Sequence, residues 1–129
     1  MTQWDIRLPY KRPPLSLNDR DGHWAVTAKK RKEVRSTSAL LARQASIPRL
    51  DTARVRLVWL VSDRRRRDRE NITATLKPAI DGLVDAGVVE DDCWWIVTES
   101  SCAIALVEKG NEGVYLQVLG EPSGVSASA

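Results

Sequence analysis

Residues 53–92, ARVRLVWLVSDRRRRDRENITATLKPAIDGLVDAGVVEDD, carry the strongest secondary-structure signals of the chain. In Ala53–Val61 every second residue is apolar, and toward the end of this segment the intervening residues become apolar as well. Alternation with a period of two predicts a β-strand, and a second apolar face predicts a central position in the sheet. Beyond the strand, apolar residues recur at helical spacing and Gly87 is typical of a helix end, so a helix is predicted to follow, with Ile72, Leu76, Ile80, Leu83 and Val84 on its apolar face.

Pro78 lies inside this predicted helix. Because proline lacks a backbone N–H, it is tolerated in the first turn and kinks a helix elsewhere. We therefore expect either a regular helix that starts near Thr75 or a kink at Pro78.

The segments on either side complete the predicted fold. Gln3–Leu8 alternates like a strand, and Thr27–Ser46 has helical spacing with Thr27 as the N-cap. We predict a further strand over 94–101 and a hairpin of 103–108 with 114–119 around the turn 109–113. Together these predict one α/β (α+β) domain over residues 1–119, a mixed sheet with two helices packed on it, and a disordered tail over 120–129.

The length of 129 residues and the composition exclude several classes of protein. No apolar run approaches the roughly 20 residues of a membrane helix, and the charged N-terminus does not match a signal peptide. Cys93 and Cys102 are the only cysteines and lack CxxC spacing, which argues against a disulfide framework or a zinc site. We expect a location in the reducing cytoplasm.

The net charge of +3 conceals an uneven distribution. Residues 1–69 hold 18 Lys/Arg and 7 Asp/Glu, whereas residues 70–129 hold 2 and 10. Fourteen of the cations are arginine, whose planar guanidinium pairs well with phosphate oxygens. The basic half favours a phosphate-rich partner, nucleic acid first of all, although arginines that only solvate outer faces would produce the same composition.

Acidic residues cluster around the end of the predicted central strand. Asp68 and Glu70 follow it directly and would point the same way if the segment is extended. Asp91 and Asp92 come after the helix, where the chain returns to the sheet, and Lys77 lies on the intervening helix. Carboxylates are the ligands that Mg²⁺ prefers, and a lysine beside them can balance charge on a phosphodiester. The pattern predicts a magnesium-dependent phosphodiesterase site.

Each part of this pattern has a simpler interpretation. D-x-E pairs occur by chance in charged loops, and an acidic turn such as 91–92 is often only solvated. Asp81, four residues after Lys77, is better explained as its salt-bridge partner than as a metal ligand. The run Arg64–Arg67 suits a solvated or phosphate-contacting loop more than a catalytic element. His23, the single histidine, is better explained as a residue that packs within the loop or contacts phosphate than as a general base.

The segment 63–92 resembles the RusA family of Holliday junction resolvases. The family has a basic run leading into D-x-D-N, a helix that carries a lysine and an aspartate, and an A-G-x-x-x-D-D turn. The N-terminal IRLP at 6–9 and PPLSLN at 13–18 also resemble the opening strand and loop of the family. The matching positions in the central motif are Arg64–Arg67, Asp68, Glu70, Asn71, Lys77, Asp81, Ala86, Gly87, Asp91 and Asp92.

The resemblance implies a small α/β homodimer, commonly phage- or prophage-encoded, that resolves four-way DNA junctions by two symmetric nicks with Mg²⁺ or Mn²⁺. It assigns essential roles to Asp68, Glu70, Lys77 and Asp92, with Asp91 as a further metal ligand. Glu70 stands where the family has aspartate, and Lys77 matches the essential lysine only with an insertion within 72–76.

The nucleic-acid contacts are assigned to the basic and polar residues around this motif. The alternatives are a non-catalytic, structure-specific DNA-binding protein on the same scaffold, and a basic RNA-binding or regulatory module with an incidental acidic cluster. The residues assigned to nucleic-acid binding are Arg64, Arg65, Arg66, Arg67, Arg69, Asn71, Asn18, His23, Lys29 and Lys30.

Overall fold

The residues that the structure describes form four strands and two helices. The computed structural model describes residues 1–17 and 24–124. A single 3₁₀ turn, Arg69–Ile72, directly precedes the second helix. In chain order the elements are β1 (Thr2–Leu8), α1 (Trp24–Gln44), β2 (Leu50–Val61), α2 (Thr73–Asp85), β3 (Val97–Leu106) and β4 (Gly113–Pro122).

The strands form one mixed sheet in the order β1-β4-β2-β3. β2 pairs in parallel with β3 and antiparallel with β4, and β1 pairs antiparallel with β4. The predicted mixed sheet with two helices is confirmed, as is the central position of β2. Because β2 and β3 are parallel and α2 connects them, their carboxyl ends lie at the same edge of the sheet.

The predicted hairpin is wrong. Residues 97–106 form one continuous strand, and β2 lies between this strand and β4. The turn signal at 109–113 marks a real reversal of the chain, but the reversal crosses the end of β2 and does not join neighbouring strands. Trp94 and Trp95, expected in a strand, lie in the turn before β3 and are 80% and 59% exposed.

Three predicted boundaries shift in the structure. α1 begins at Trp24, so Thr27 lies inside the helix and is not its N-cap. α2 begins at Thr73, two residues before the expected start near Thr75, and Pro78 lies inside it. β4 continues to Pro122, so the first residues of the predicted tail belong to the sheet, whereas residues 125–129 lie outside the described part of the chain.

The core lies between the helices and one face of the sheet. Leu57 of β2 and Leu116 of β4 are paired across the two central strands and are completely buried. α1 and α2 approach closely at Gly82, where an added Cβ would lie 2.5 Å from the Arg35 carbonyl oxygen. Of the helices that the structure describes, neither is long and apolar enough to cross a membrane.

A buried threonine attaches the N-terminal loop to α2. The Thr75 hydroxyl accepts a hydrogen bond from the Leu15 N–H at 3.0 Å and donates one to the Leu15 carbonyl at 2.8 Å. The Leu17 N–H donates to the Asn71 carbonyl at 2.9 Å. These bonds fix the loop that follows β1 beside the end of β2, where the sequence places its basic run.

We expect Thr75→Val to lower the free energy of unfolding by about 2–4 kcal/mol. Valine keeps the shape but leaves the N–H and carbonyl of Leu15 without partners, and each buried unsatisfied group costs about 1–3 kcal/mol. Urea unfolding measures the difference, with Thr75→Ser, which keeps the hydroxyl, as the control. Equal stability of the valine variant and the wild type would contradict this role of the hydroxyl.

Candidate functional site

The loop after β2 is folded around Asp63. The Arg67 guanidinium forms a salt bridge with the Asp63 carboxylate at 2.9 Å and lies over the Trp59 ring, 5.1 Å from its centroid. The Arg65 N–H donates to the same carboxylate at 3.0 Å. This backbone bond, together with Arg67, lowers the pKa of Asp63. Arg67 therefore has a structural role in the loop, in addition to the nucleic-acid contact predicted for it.

The other arginines of the run project from this loop. Arg64 and Arg66 are exposed, and no carboxylate within residues 1–17 and 24–124 pairs with them. Arg65 is 83% exposed at its side chain despite a loose contact with Asp63 at 3.7 Å. Arg64, Arg65 and Arg69 line a cleft of about 320 Å³ against the apolar end of β3. The arrangement presents exposed arginines at the carboxyl edge of the parallel strands.

Asp68 borders a second cleft, of about 450 Å³. Trp59 and Ile72 form its apolar part, and the cations Arg12, Lys30 and Arg67 line it as well. Asp68 is exposed, and its carboxylate does not cap the following 3₁₀ turn. Within the described residues, the Asp68 carboxylate therefore has no side-chain hydrogen bond, and the other charged side chains that line the cleft are cations.

Asp68 and Glu70 do not lie in one extended segment, contrary to the expectation from their spacing. The backbone is extended at Asp68, with φ −106° and ψ 122°, but the 3₁₀ turn begins at the next residue. The rule that residues two apart share a face holds for strands and not for a 3₁₀ turn. Glu70 instead lies near Cys102 of β3, where burial first and this carboxylate second raise the pKa of the thiol to about 11.

Lys77 and Asp92 are in direct contact, although 15 residues separate them in the sequence. The Lys77 ammonium donates to the Asp92 carboxylate and also to Asp81 at 3.2 Å. The hydrogen bond with Lys77 lowers the pKa of Asp92, and the same bond raises the pKa of Lys77. The Asp92 N–H donates to the Asp91 carboxylate at 2.7 Å. The prediction that Asp81 is a salt-bridge partner of Lys77 is confirmed.

Among the described residues, the positions to which the resemblance assigns the metal ion are not gathered into one cluster. Nowhere in the described ranges do three His, Cys, Asp or Glu side chains come close enough together to hold one ion. Asp92 is hydrogen-bonded to Lys77, and Glu70 lies within the 3₁₀ turn that follows the extended backbone of Asp68. A metal ion shared by Asp68, Glu70 and Asp92 therefore stays a prediction.

The remaining predicted contact residues have different outcomes. Asn18 and His23 lie outside the described residues. Lys30 and Asn71 both line the cleft beside Asp68, whereas Lys29 is exposed on α1. The first turns of α1 thus contribute at least one cation to the same side of the molecule as the basic loop.

Two residues of this cleft were not identified from the sequence. Arg12 lies in the proline-rich loop after β1, where no periodicity indicates its neighbours. Trp59 could have been identified, because the alternation of β2 places it close to the start of the basic run. The long-range bonds of Thr75 bring the loop of Arg12 to this position.

Comparison with protein-family models finds no family model that matches the chain, and comparison with curated proteins finds no match either.

Proposed function

We propose that this protein is a structure-specific endodeoxyribonuclease that resolves four-way DNA junctions by paired symmetric nicks, in DNA recombination and repair. The observation that carries the proposal is Asp68, a carboxylate in a cleft whose other charged lining residues are Arg12, Lys30 and Arg67. A site that only binds phosphate has no use for such a carboxylate, since it repels the ligand. A nuclease uses a carboxylate next to the scissile phosphate.

The remaining parts of the proposal rest on the resemblance of residues 63–92 to RusA resolvases. One part is a requirement for Mg²⁺, with Mn²⁺ as a substitute. The other is that the protein acts in the cytoplasm of a bacterial host cell and is encoded by a phage or prophage. The roles of Glu70, Lys77, Asp91 and Asp92 in catalysis have the same basis. The contact of Lys77 with Asp92 supports a shared role for these two residues.

A non-catalytic DNA-binding protein on the same scaffold is the second candidate. The observation that favours it is the missing group of three carboxylates among the described residues. In such a protein the Lys77–Asp92 contact is a permanent salt bridge, and the basic loop alone makes the functional contacts.

One experiment separates the two candidates. A four-way junction, labelled on each strand in turn, is incubated with the protein and Mg²⁺, and binding is measured separately in EDTA by gel shift. Paired nicks at symmetric positions support the nuclease, whereas a shift without nicks supports the non-catalytic protein. Equal affinity for unrelated RNA and for the junction would contradict both and indicate a general basic binding module.

We further propose a symmetric homodimer as the working unit. The two strands that must be cut are related by two-fold symmetry, and one chain offers a single Asp68. The exposed Trp94 and Trp95, with ring centroids 5.6 Å apart, lie beside the start of the edge strand β3. Exposed tryptophan is unusual on a free surface and common at the centre of interfaces.

We expect sedimentation equilibrium at micromolar protein to give twice the chain mass of 14.4 kDa. The double substitution Trp94→Ser and Trp95→Ser should shift the protein toward a monomer that stays folded by circular dichroism, because both side chains are largely exposed within one chain. A wild-type monomer that still makes paired nicks in one binding event would contradict the dimer.

A further inference from the structure

Trp59 lies between two clefts that join into one groove. One is the cleft beside Asp68, and the other, of about 600 Å³, extends toward the end of β2. Arg12, Trp59 and Arg67 line both of them. The two clefts, together called the Trp59 groove below, therefore adjoin at these three side chains. Each part is within the range of volumes that hold small ligands.

Cations predominate along the Trp59 groove. Of the acidic residues that line it, Asp63 is paired with Arg67, and Glu112 accepts hydrogen bonds from the Ser62 hydroxyl at 2.8 Å and the Gly110 N–H at 2.6 Å. Asp68 is the remaining carboxylate. The cationic side chains that line the groove are Lys11, Arg12, Lys30, Arg65, Arg66 and Arg67.

At the centre of the groove, Arg67 and Trp59 are in cation–π contact. The Arg67 guanidinium lies 5.1 Å from the centroid of the Trp59 ring, and its position is fixed by the salt bridge to Asp63. Indole rings and guanidinium planes are the surfaces on which nucleobases stack. A half-buried ring inside a groove is accessible only to a base that has left the helical stack, because a paired base has both faces covered.

We propose that the Trp59 groove binds one unpaired nucleotide, with the base against Trp59 and Arg67 and the flanking phosphates at the cations on either side. Lys30 lies on the side of Asp68, Lys11 and Arg66 lie on the other side, and Arg12 lines both clefts. The inference rests on the proposed action on branched DNA and adds a specific feature of the substrate, namely a base displaced from the stack next to Asp68.

The test compares three DNA duplexes of equal length in EDTA, where no cleavage occurs. One carries a single unpaired adenine bulge, the second carries an abasic residue at the same position, and the third is fully paired. We expect the bulged duplex to bind about tenfold more tightly than the abasic one, since stacking of a base on an aromatic ring is worth about 1–3 kcal/mol. Equal affinity for bulged and abasic duplexes would overturn the proposal.

Variants locate the preference within the molecule. Trp59→Leu should reduce the tenfold preference to about twofold or less, whereas Trp4→Leu, which also changes a half-buried tryptophan packed against the core, should keep it. Lys30→Gln should weaken binding of the bulged and abasic duplexes equally, since it removes a phosphate contact and no stacking surface. A preference that survives in Trp59→Leu would overturn the assignment to the groove.

The outcomes also separate this inference from the proposed function. Binding and nicking of four-way junctions with no preference for the unpaired base would overturn the groove proposal alone. Failure to bind any of the DNAs, including the junction, would overturn the proposed function and the groove together.

Discussion

Asp68→Asn is expected to reduce nicking of a four-way junction by about 100-fold or more, the usual size of an effect when one group that stabilises a transition state is lost. Binding in EDTA should stay within about threefold of the wild type or become tighter, because the substitution removes a negative charge beside the phosphates. Fold stability should not change, since none of the described residues donates a side-chain hydrogen bond to this carboxylate. Single-turnover nicking and gel shift measure the two effects separately.

Asp5→Asn is the matched control for Asp68→Asn. Asp5 is an exposed residue on β1, and within the described residues its carboxylate accepts one hydrogen bond, from the Gln3 amide at 3.1 Å. It lies outside both clefts that Asp68 and the basic loop line. Nicking by this variant should equal that of the wild type. If Asp68→Asn also nicks within about threefold of the wild type, Asp68 is not the carboxylate on which the reaction depends.

The fold was largely predictable where local patterns suffice. The alternation of Ala53–Val61 identified β2, and its apolar second face indicated the central position that the structure confirms. The pairing of β3 was not predictable in the same way. A turn signal at 109–113 shows that the chain reverses, but which strands become neighbours depends on contacts between residues far apart in the sequence.

The candidate site was likewise predictable only in part. The return of the chain after α2 was the basis for expecting Asp92 near Asp68 and Glu70, whereas the contact that the structure shows for Asp92 is with Lys77. The shared direction of Asp68 and Glu70 was inferred from an extended backbone, and the 3₁₀ turn at Arg69–Ile72 removes that condition. The spacing of two residues predicts the directions of their side chains only where the secondary structure of each residue is known. At the ends of helices and strands, sequence patterns do not define the secondary structure residue by residue.

The double substitution Arg64→Ala and Arg66→Ala is expected to weaken junction binding by about 10- to 100-fold at moderate salt. Charge-assisted hydrogen bonds contribute about 1.5–3 kcal/mol each, and part of this is screened at an exposed site. The plot of log affinity against log salt should lose about 0.9 per phosphate contact, or about two units for the pair. Gel shifts over a series of salt concentrations measure the slope.

Arg54→Ala and Arg56→Ala together form the matched control, because they remove the same charge from the exposed face of β2. Arg54 lies 3.9 Å from Glu99. Both arginines line a different cleft, to which no residue of the basic loop contributes. If the arginine run merely solvates the surface, the two double variants should change the salt slope equally, through net charge alone. A larger change for Arg64 and Arg66 requires phosphates bound at this loop.

Since Arg67 is held by Asp63 and Trp59, Arg67→Ala should differ from both double variants by also lowering the urea midpoint.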